Sequence, residues 1–250
     1  MSSVSEYAWF AAGLLALVAA TGGLARAAGI GLGWTPLWSL ARAAVQLTVV
    51  ALLLRGILTV EWTVVAFLLL MATTASWTAA GRLGELFHGR RAAVLGVVTG
   101  AAVSLGSILA LGLVDLEVRY VVATAGIIIG NAMSAATLSG RNFLRSARLR
   151  RDEIEGWLAL GATPAIAHQE IGQEAVRESL LPNLDQTRST GLVTLPGAFV
   201  GALFGGASPA QAAQFQLVVL AGIALAMTIC GVLVTRVLGR SPYVSVSPGG

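Results

Sequence analysis

Apolar residues occur along this chain in long blocks rather than in alternation. A membrane-crossing helix needs about 20 consecutive, mainly apolar residues. Seven blocks meet that length: 7–25, 37–58, 60–80, 92–114, 118–139, 189–207 and 212–236. The second and third are separated by little more than Thr59-Val60-Glu61, which predicts a tight helical hairpin. The sixth is interrupted by Leu195-Pro196-Gly197. Non-helical backbone at that depth survives only when buried in protein or lining a wet cavity. The pattern predicts an all-α polytopic membrane protein of about seven transmembrane helices, with residues 1–250 forming a single transmembrane domain.

Composition agrees. The chain is 56% hydrophobic and 11% charged, against about 25% charged in a soluble domain. Its 30 glycines suit helices that pack closely in a bilayer. All 16 basic residues are arginine. A phosphate-cradling P-loop requires a lysine, so this chain is not itself a P-loop ATPase. The arginines lie between apolar blocks, which points to membrane topology rather than to a nucleic-acid partner. The lone Cys230 excludes an internal disulfide and a cysteine-based metal cluster. No Ser-His-Asp or Cys-His constellation falls at a membrane interface, so nothing argues for an enzyme. The start, MSSVSEYAWF, lacks the positive region of a secretory signal. The first block therefore reads as a retained span, although Ala25-Arg26-Ala27 has small-x-small form.

Arginine positions orient the spans. Arg26, Arg82, Arg90, Arg91, the seven arginines between 141 and 188, Arg236 and Arg240 fall on one side, and only Arg55 and Arg119 on the other. The positive-inside rule then places the N-terminus outside and the C-terminus in the cytosol of a cell-membrane protein. It leaves 141–188 as the one long cytosolic segment. The fifth span is expected to run on into the cytosol as helix. Gly161 follows as a residue suited to left-handed backbone, with Thr163 as N-cap and Pro164 as first helical residue. A second helix has apolar residues at 167, 171, 175 and 176, and is expected to stop by Pro182. The tail SPYVSVSPGG carries no functional signal.

Within that segment, Glu155, Gly161 and Ile171 reproduce the spacing of the cytoplasmic "EAA" motif of ATP-binding-cassette permeases. Gly156 and Trp157 replace the motif's alanines, and its Leu-Pro ending is not in register. The resemblance implies a coupling helix that docks on a cytosolic ATPase, with Leu158, Ala162 and Ile166 as apolar tips. The plain alternative is a cytosolic hairpin packed on its own membrane domain. Two longer stretches, GIIIGNAMSAATLSGRNFLR at 126–145 and GLVTLPGAFVGALFGGASPAQAAQFQLVVL at 191–220, resemble FetB-type iron-export permeases. That family also includes plant aluminium-sensitivity membrane proteins. Arg42-x-x-x-Gln46-Leu47 is similar too. The chain departs from the family at Ala198–Ala202 and at Asp185–Arg188, where methionines and an amide are missing; this bears on iron as substrate. The resemblance implies a permease subunit that pairs with a second copy and exports a metal ion or other small solute. ATP and Mg would then be held by a separate ATPase subunit. A stand-alone secondary transporter or channel, and a membrane scaffold that recruits a cytosolic partner, are the alternatives.

Individual residues admit two readings. Intramembrane polar groups are pathway candidates by default, which singles out Gln46, Asn131, Met133, Ser134 and Thr137, with Pro196 at the break. Gln46 is expected to face the protein interior. The alternative for the residues of the fifth span is helix packing through small and hydroxyl side chains. Arg42 reads as snorkelling to the cytosolic face. Glu170, Glu174 and Glu178 form a four-residue ladder whose like charges need compensation, from the basic run 145–151, from an ATPase surface or, as a metal site, from a hydrated cation. His88 and His168 have no neighbour at ligand spacing.

Overall fold

The computed structural model describes residues 2–57 and 61–241, and side chains for 5–52 and 63–241. The hairpin turn expected at 59–61 and the tail 242–250 lie outside the described residues. Among the described residues the structure is helical, with no strand beyond one isolated Thr190–Thr194 bridge. The elements are α1 (Ser2–Ala27), α2 (Thr35–Ile57), α3 (Glu61–Arg82), α4 (Gly89–Ala110), α5 (Val118–Leu149), α6 (Arg151–Ala159), α7 (Pro164–Ala167), α8 (Gln169–Ser189), α9 (Gly197–Phe204) and α10 (Pro209–Leu238). Six of them, α1–α5 and α10, are long and apolar enough to cross a membrane. The chain is a polytopic all-α membrane protein.

Two compact units emerge, Met1–Val60 and Glu61–Gly250. In the first, α1 and α2 are joined by a short loop with Gly29 and Gly33 at positive φ, and the Arg26 guanidinium lies over the Trp34 ring at 5.9 Å.

In the second unit, α10 lies against α4, α5, α8 and α9. Paired positions give the directions. Gly96 and Gly100 of α4 meet Cys230 and Ala226, and the Ser104 hydroxyl donates to Gly222 O at 2.7 Å, so α4 and α10 are antiparallel. On α5, Ile128 meets Gly222 and Ser139 meets Gly231, so α5 and α10 run parallel. The α3 helix parallels α5, with Met71 at Gly126 and Leu83 at Gly140. Packing is close because the contacts use small residues: a Cβ at Gly100 would stand 2.6 Å from Ala226 O. Between bilayer helices, van der Waals fit and hydrogen bonds take over the role that apolar burial plays in water.

The sixth block is broken, as expected, but over 190–196 rather than at 195–197 alone: α8 ends at Ser189 and the eight residues of α9 begin at Gly197. The helix before the turn does not stop at Pro182 but runs through it to Ser189. Gly172 lies at Thr235 and Val176 at Gly231, and the Phe199 amide bonds Gln216. The α8 helix, the turn and α9 thus run antiparallel beside α10, and the helices long and apolar enough to cross a membrane number six among the described residues rather than the expected seven.

Candidate coupling site and pathway-facing residues

The ends of α3, α5 and α10 and the start of α4 meet at one end of the second unit, where Arg82, Arg90, Arg91, Arg236 and Arg240 gather. The α5 helix spans 32 residues, about 48 Å at 1.5 Å per residue. That exceeds the roughly 30 Å hydrocarbon core. The helix breaks at Arg150 and continues as α6.

Arg150 is the junction. Its guanidinium meets Glu153 at 2.7 Å on α6, and Glu170 at 3.1 Å and Glu174 at 3.5 Å on α8. Arg145 pairs with Glu178 at 2.8 Å, and Arg151 with Glu155 at 2.6 Å. The hydrogen bonds Arg150 donates to Glu153, then to Glu170, raise its pKa above the ordinary value. The same bond to Arg150 holds the Glu153 carboxyl below the usual carboxylate range. The glutamate ladder is therefore matched by arginines of α5 and the α5–α6 junction. Among the described residues no three His, Cys, Asp or Glu side chains are grouped to hold a metal. Of the readings of Glu170, Glu174 and Glu178, the structure shows the salt-bridged one: each meets a guanidinium, Glu170 and Glu174 that of Arg150 and Glu178 that of Arg145.

The turn between α6 and α7 has Gly161 at φ +86° with no atom near a would-be Cβ. Ala162 N closes it on Trp157 O at 3.0 Å. Thr163 takes extended N-cap geometry without a side-chain cap, and Pro164 opens α7. Leu158 does not form an apolar tip; it turns inward with Ile154, one helical turn earlier, and packs on the core. Ile171 is 2% exposed. The exposed apolar residues are Trp157, Leu160 and Ile166, Leu160 at 84%; Ala162 is half-buried and Glu155 exposed. His168 is buried against Phe143, and its Nδ1 lies 2.8 Å from Pro164 O.

On α5, Asn131 donates to Ile127 O, Ser134 to Gly130 O and Thr137 to Met133 O, each one turn back. Arg82 Nη1 donates to Thr137 Oγ1 at 3.3 Å. Asn131, Met133 and Ser134 are half-buried and Thr137 buried. These four share one stretch of helix. Gln46 is in the other unit, exposed on α2 rather than packed inward within it. Pro196 is the N-cap position of α9.

Residues 9–243 match the family described as "Uncharacterised protein family (UPF0014)". The chain belongs to the UPF0014 family. The rice UPF0014 membrane protein STAR2 is 33% identical, over 90% of this chain and 82% of its own. The Arabidopsis protein ALUMINUM SENSITIVE 3 is 30% identical, over 80% and 74%. The probable iron export permease protein FetB of Escherichia coli is 30% identical, over 73% and 71%. No solved structure matches. The resemblance read from 126–145 and 191–220 is thus borne out at the level of the family.

This UPF0014 chain also holds polar residues that the sequence reading passed over. Gln216, 5% exposed on α10, accepts the Phe199 amide at 3.1 Å and so caps the α9 start that Pro196 leaves bare. Ser139 and Ser179 tie α5 to α8 at 3.0 Å. Ser76 Oγ, Thr124 Oγ1 and Asn183 Oδ1 are buried without a partner, and such atoms are rare in folded proteins. The available signal was an amide or hydroxyl inside an apolar run; Gln216 was read as part of a span.

Proposed function

We propose that this chain is the membrane-spanning permease subunit of an ATP-binding-cassette transporter. Its N-terminus lies outside the cell membrane and its C-terminus in the cytosol, and it exports a metal ion of the iron type or another small solute. The observation that carries the reading is the α6–α7 hairpin. Its apolar tip of Trp157, Leu160 and Ile166 is presented away from the core, while Arg150 holds its base through three carboxylates. An exposed apolar tip on an ion-paired base suits insertion into a groove on another protein. The partner is a separate cytosolic ATPase carrying ATP and Mg, since this lysine-free chain has no P-loop of its own. The permease role of the FetB relative supports the same reading.

A second copy of the chain completes the pathway. The turn at 190–196 is irregular and exposes Leu192, Val193 and Leu195, followed by Phe204 on α9. Irregular backbone of this kind is not left facing lipid, and a two-fold partner is the commonest cover. The same break between α8 and α9 is the feature that favours the second reading, a stand-alone secondary transporter, because broken helices build ion sites. The deciding experiment is affinity purification from source-cell membranes, then reconstitution with candidate metal ions. A Walker-motif ATPase in the complex and metal-stimulated hydrolysis are expected. Transport by the chain without any ATPase would favour the second reading.

A further inference from the structure

Between α8 and the last turns of α10 lies a groove of ≈ 720 Å³. Three arginines line it, Arg177 from α8 and Arg236 and Arg240 from the end of α10, with no carboxylate among the lining residues. Among the described residues none of the three makes an ion pair, although the acidic ladder of α8 is close by and its glutamates are engaged by Arg145 and Arg150. The rest of the lining is mostly apolar. Leu180, Leu184 and Val232 form the part of the groove farther from Arg240 along the antiparallel pair. Arg236 lies in the last turn of α10 and Arg240 just beyond it, at the arginine-rich end of the second unit.

We propose that this groove binds an anionic phospholipid, with its phosphate among Arg177, Arg236 and Arg240 and an acyl chain along Leu180, Leu184 and Val232. Three features select this occupant. Unneutralised guanidinium groups match a phosphate ester in charge and in fork geometry. Basic pockets between transmembrane helices at the headgroup level are suited to lipid headgroups. The apolar continuation fits a chain that free phosphate lacks. The site is separate from the hairpin tip: the lipid would fasten α8 to α10 and so fix the base from which the tip projects.

The test uses the full chain, delipidated in detergent and titrated with phosphatidylglycerol, phosphatidylcholine or inorganic phosphate, with bound lipid counted by native mass spectrometry. The wild type is expected to hold phosphatidylglycerol at least about tenfold more tightly than phosphatidylcholine. The variant R177Q/R236Q/R240Q should lose that preference while melting as the wild type does in phosphatidylcholine. If the triple variant fails to fold, Arg240→Gln alone, beyond the end of α10, should lower the preference in part. Leu184→Gln should weaken phosphatidylglycerol and leave phosphate unaffected. The proposal is overturned if the wild type does not discriminate, or if the arginine variants discriminate as it does. It is overturned equally if inorganic phosphate displaces the lipid, which would mark a soluble-anion site. Loss of a copurifying ATPase from the triple variant, with lipid preference unchanged, would assign the groove to that partner and contradict the proposal.

Discussion

The seam between α4 and α10 and the hairpin at α6–α7 are held together by different means. In the seam, Gly96 and Gly100 let the two backbones approach until a single Cβ would collide with Ala226 O or Cys230. Its side chains are largely buried, and its one polar tie is Ser104 to Gly222 O. In the hairpin, little of the surface is covered. Gly156 and Gly161 have no atom within 4 Å of a would-be Cβ, and position is set by ion pairs radiating from Arg145, Arg150 and Arg151. Exposed pairs of this sort contribute at most about 1 kcal/mol each. The seam is built to stay closed, whereas the hairpin rests on Ile154 and Leu158 along its inner side and on charge at its base, and leaves Trp157, Leu160 and Ile166 free. A part that must meet another protein cannot also bury its own contact residues.

The sharpest way to break the comparison is to replace a glycine in each region. Gly100→Leu should force α4 from α10 and cost about 3 kcal/mol or more, as overpacking does. The expected result is aggregated or absent protein on detergent size exclusion. Gly156→Ala, in the open hairpin, should be neutral or stabilise by about 0.5–1 kcal/mol, because a helical glycine gains by it. Equal loss in both would mean that the hairpin is as tightly packed as the seam.

A smaller effect is expected at the break between α8 and α9. Gln216→Leu should leave the Phe199 amide buried without its acceptor, at a cost of about 1–2 kcal/mol. Thermal melting of the purified chain checks this, together with protease access at 190–196.

These two sites also show what the sequence could and could not reveal. The spans α1–α5 and α10 were legible because hydrocarbon thickness sets a length and few residues in them are charged. The break in the sixth block was legible at Pro196-Gly197 but its reach back to 190 was not, since Leu192, Val193 and Leu195 count as apolar whether they sit in a helix or a turn. Pro182 misled for a related reason. Proline removes one amide and clashes with the preceding turn, but α8 continues through it where it packs against α5 and α10. In the hairpin, Gly161 was legible because φ above zero is a local demand that glycine meets. Leu158 was not, because the side of α6 that faces the core depends on how α5 breaks at Arg150, a tertiary fact.

Gly161→Val would be strained at φ +86°, by roughly 1 kcal/mol or more. Because the spans are stabilised elsewhere, it should alter the hairpin without changing expression. The expected readout is normal insertion and a broadened distance between spin labels on α6 and α8. The smallest effect concerns acid. The Glu153 carboxyl is held low by Arg150, so its contribution is complete above the unfolded value of about 4.3 and is lost as pH falls through the lower folded value. The same label pair should give one narrow distance from neutral pH down to about 5 and broaden only below about 4. Broadening near neutrality would show that Arg150 does not hold the hairpin.

The central claim is that the hairpin tip docks on an ATPase, and charge placed at the tip tests it most directly. Leu160 is 84% and Ile166 55% exposed, so Leu160→Asp and Ile166→Asp should leave the fold intact. Wild type and both variants are purified from source-cell membranes at equal expression, and the copurifying Walker-motif ATPase is quantified. The account predicts at least about a tenfold loss of ATPase from each variant, as expected for a charge forced into an apolar pocket, with unchanged melting of the membrane chain. Undiminished ATPase on both variants, with normal substrate-stimulated hydrolysis, would contradict it.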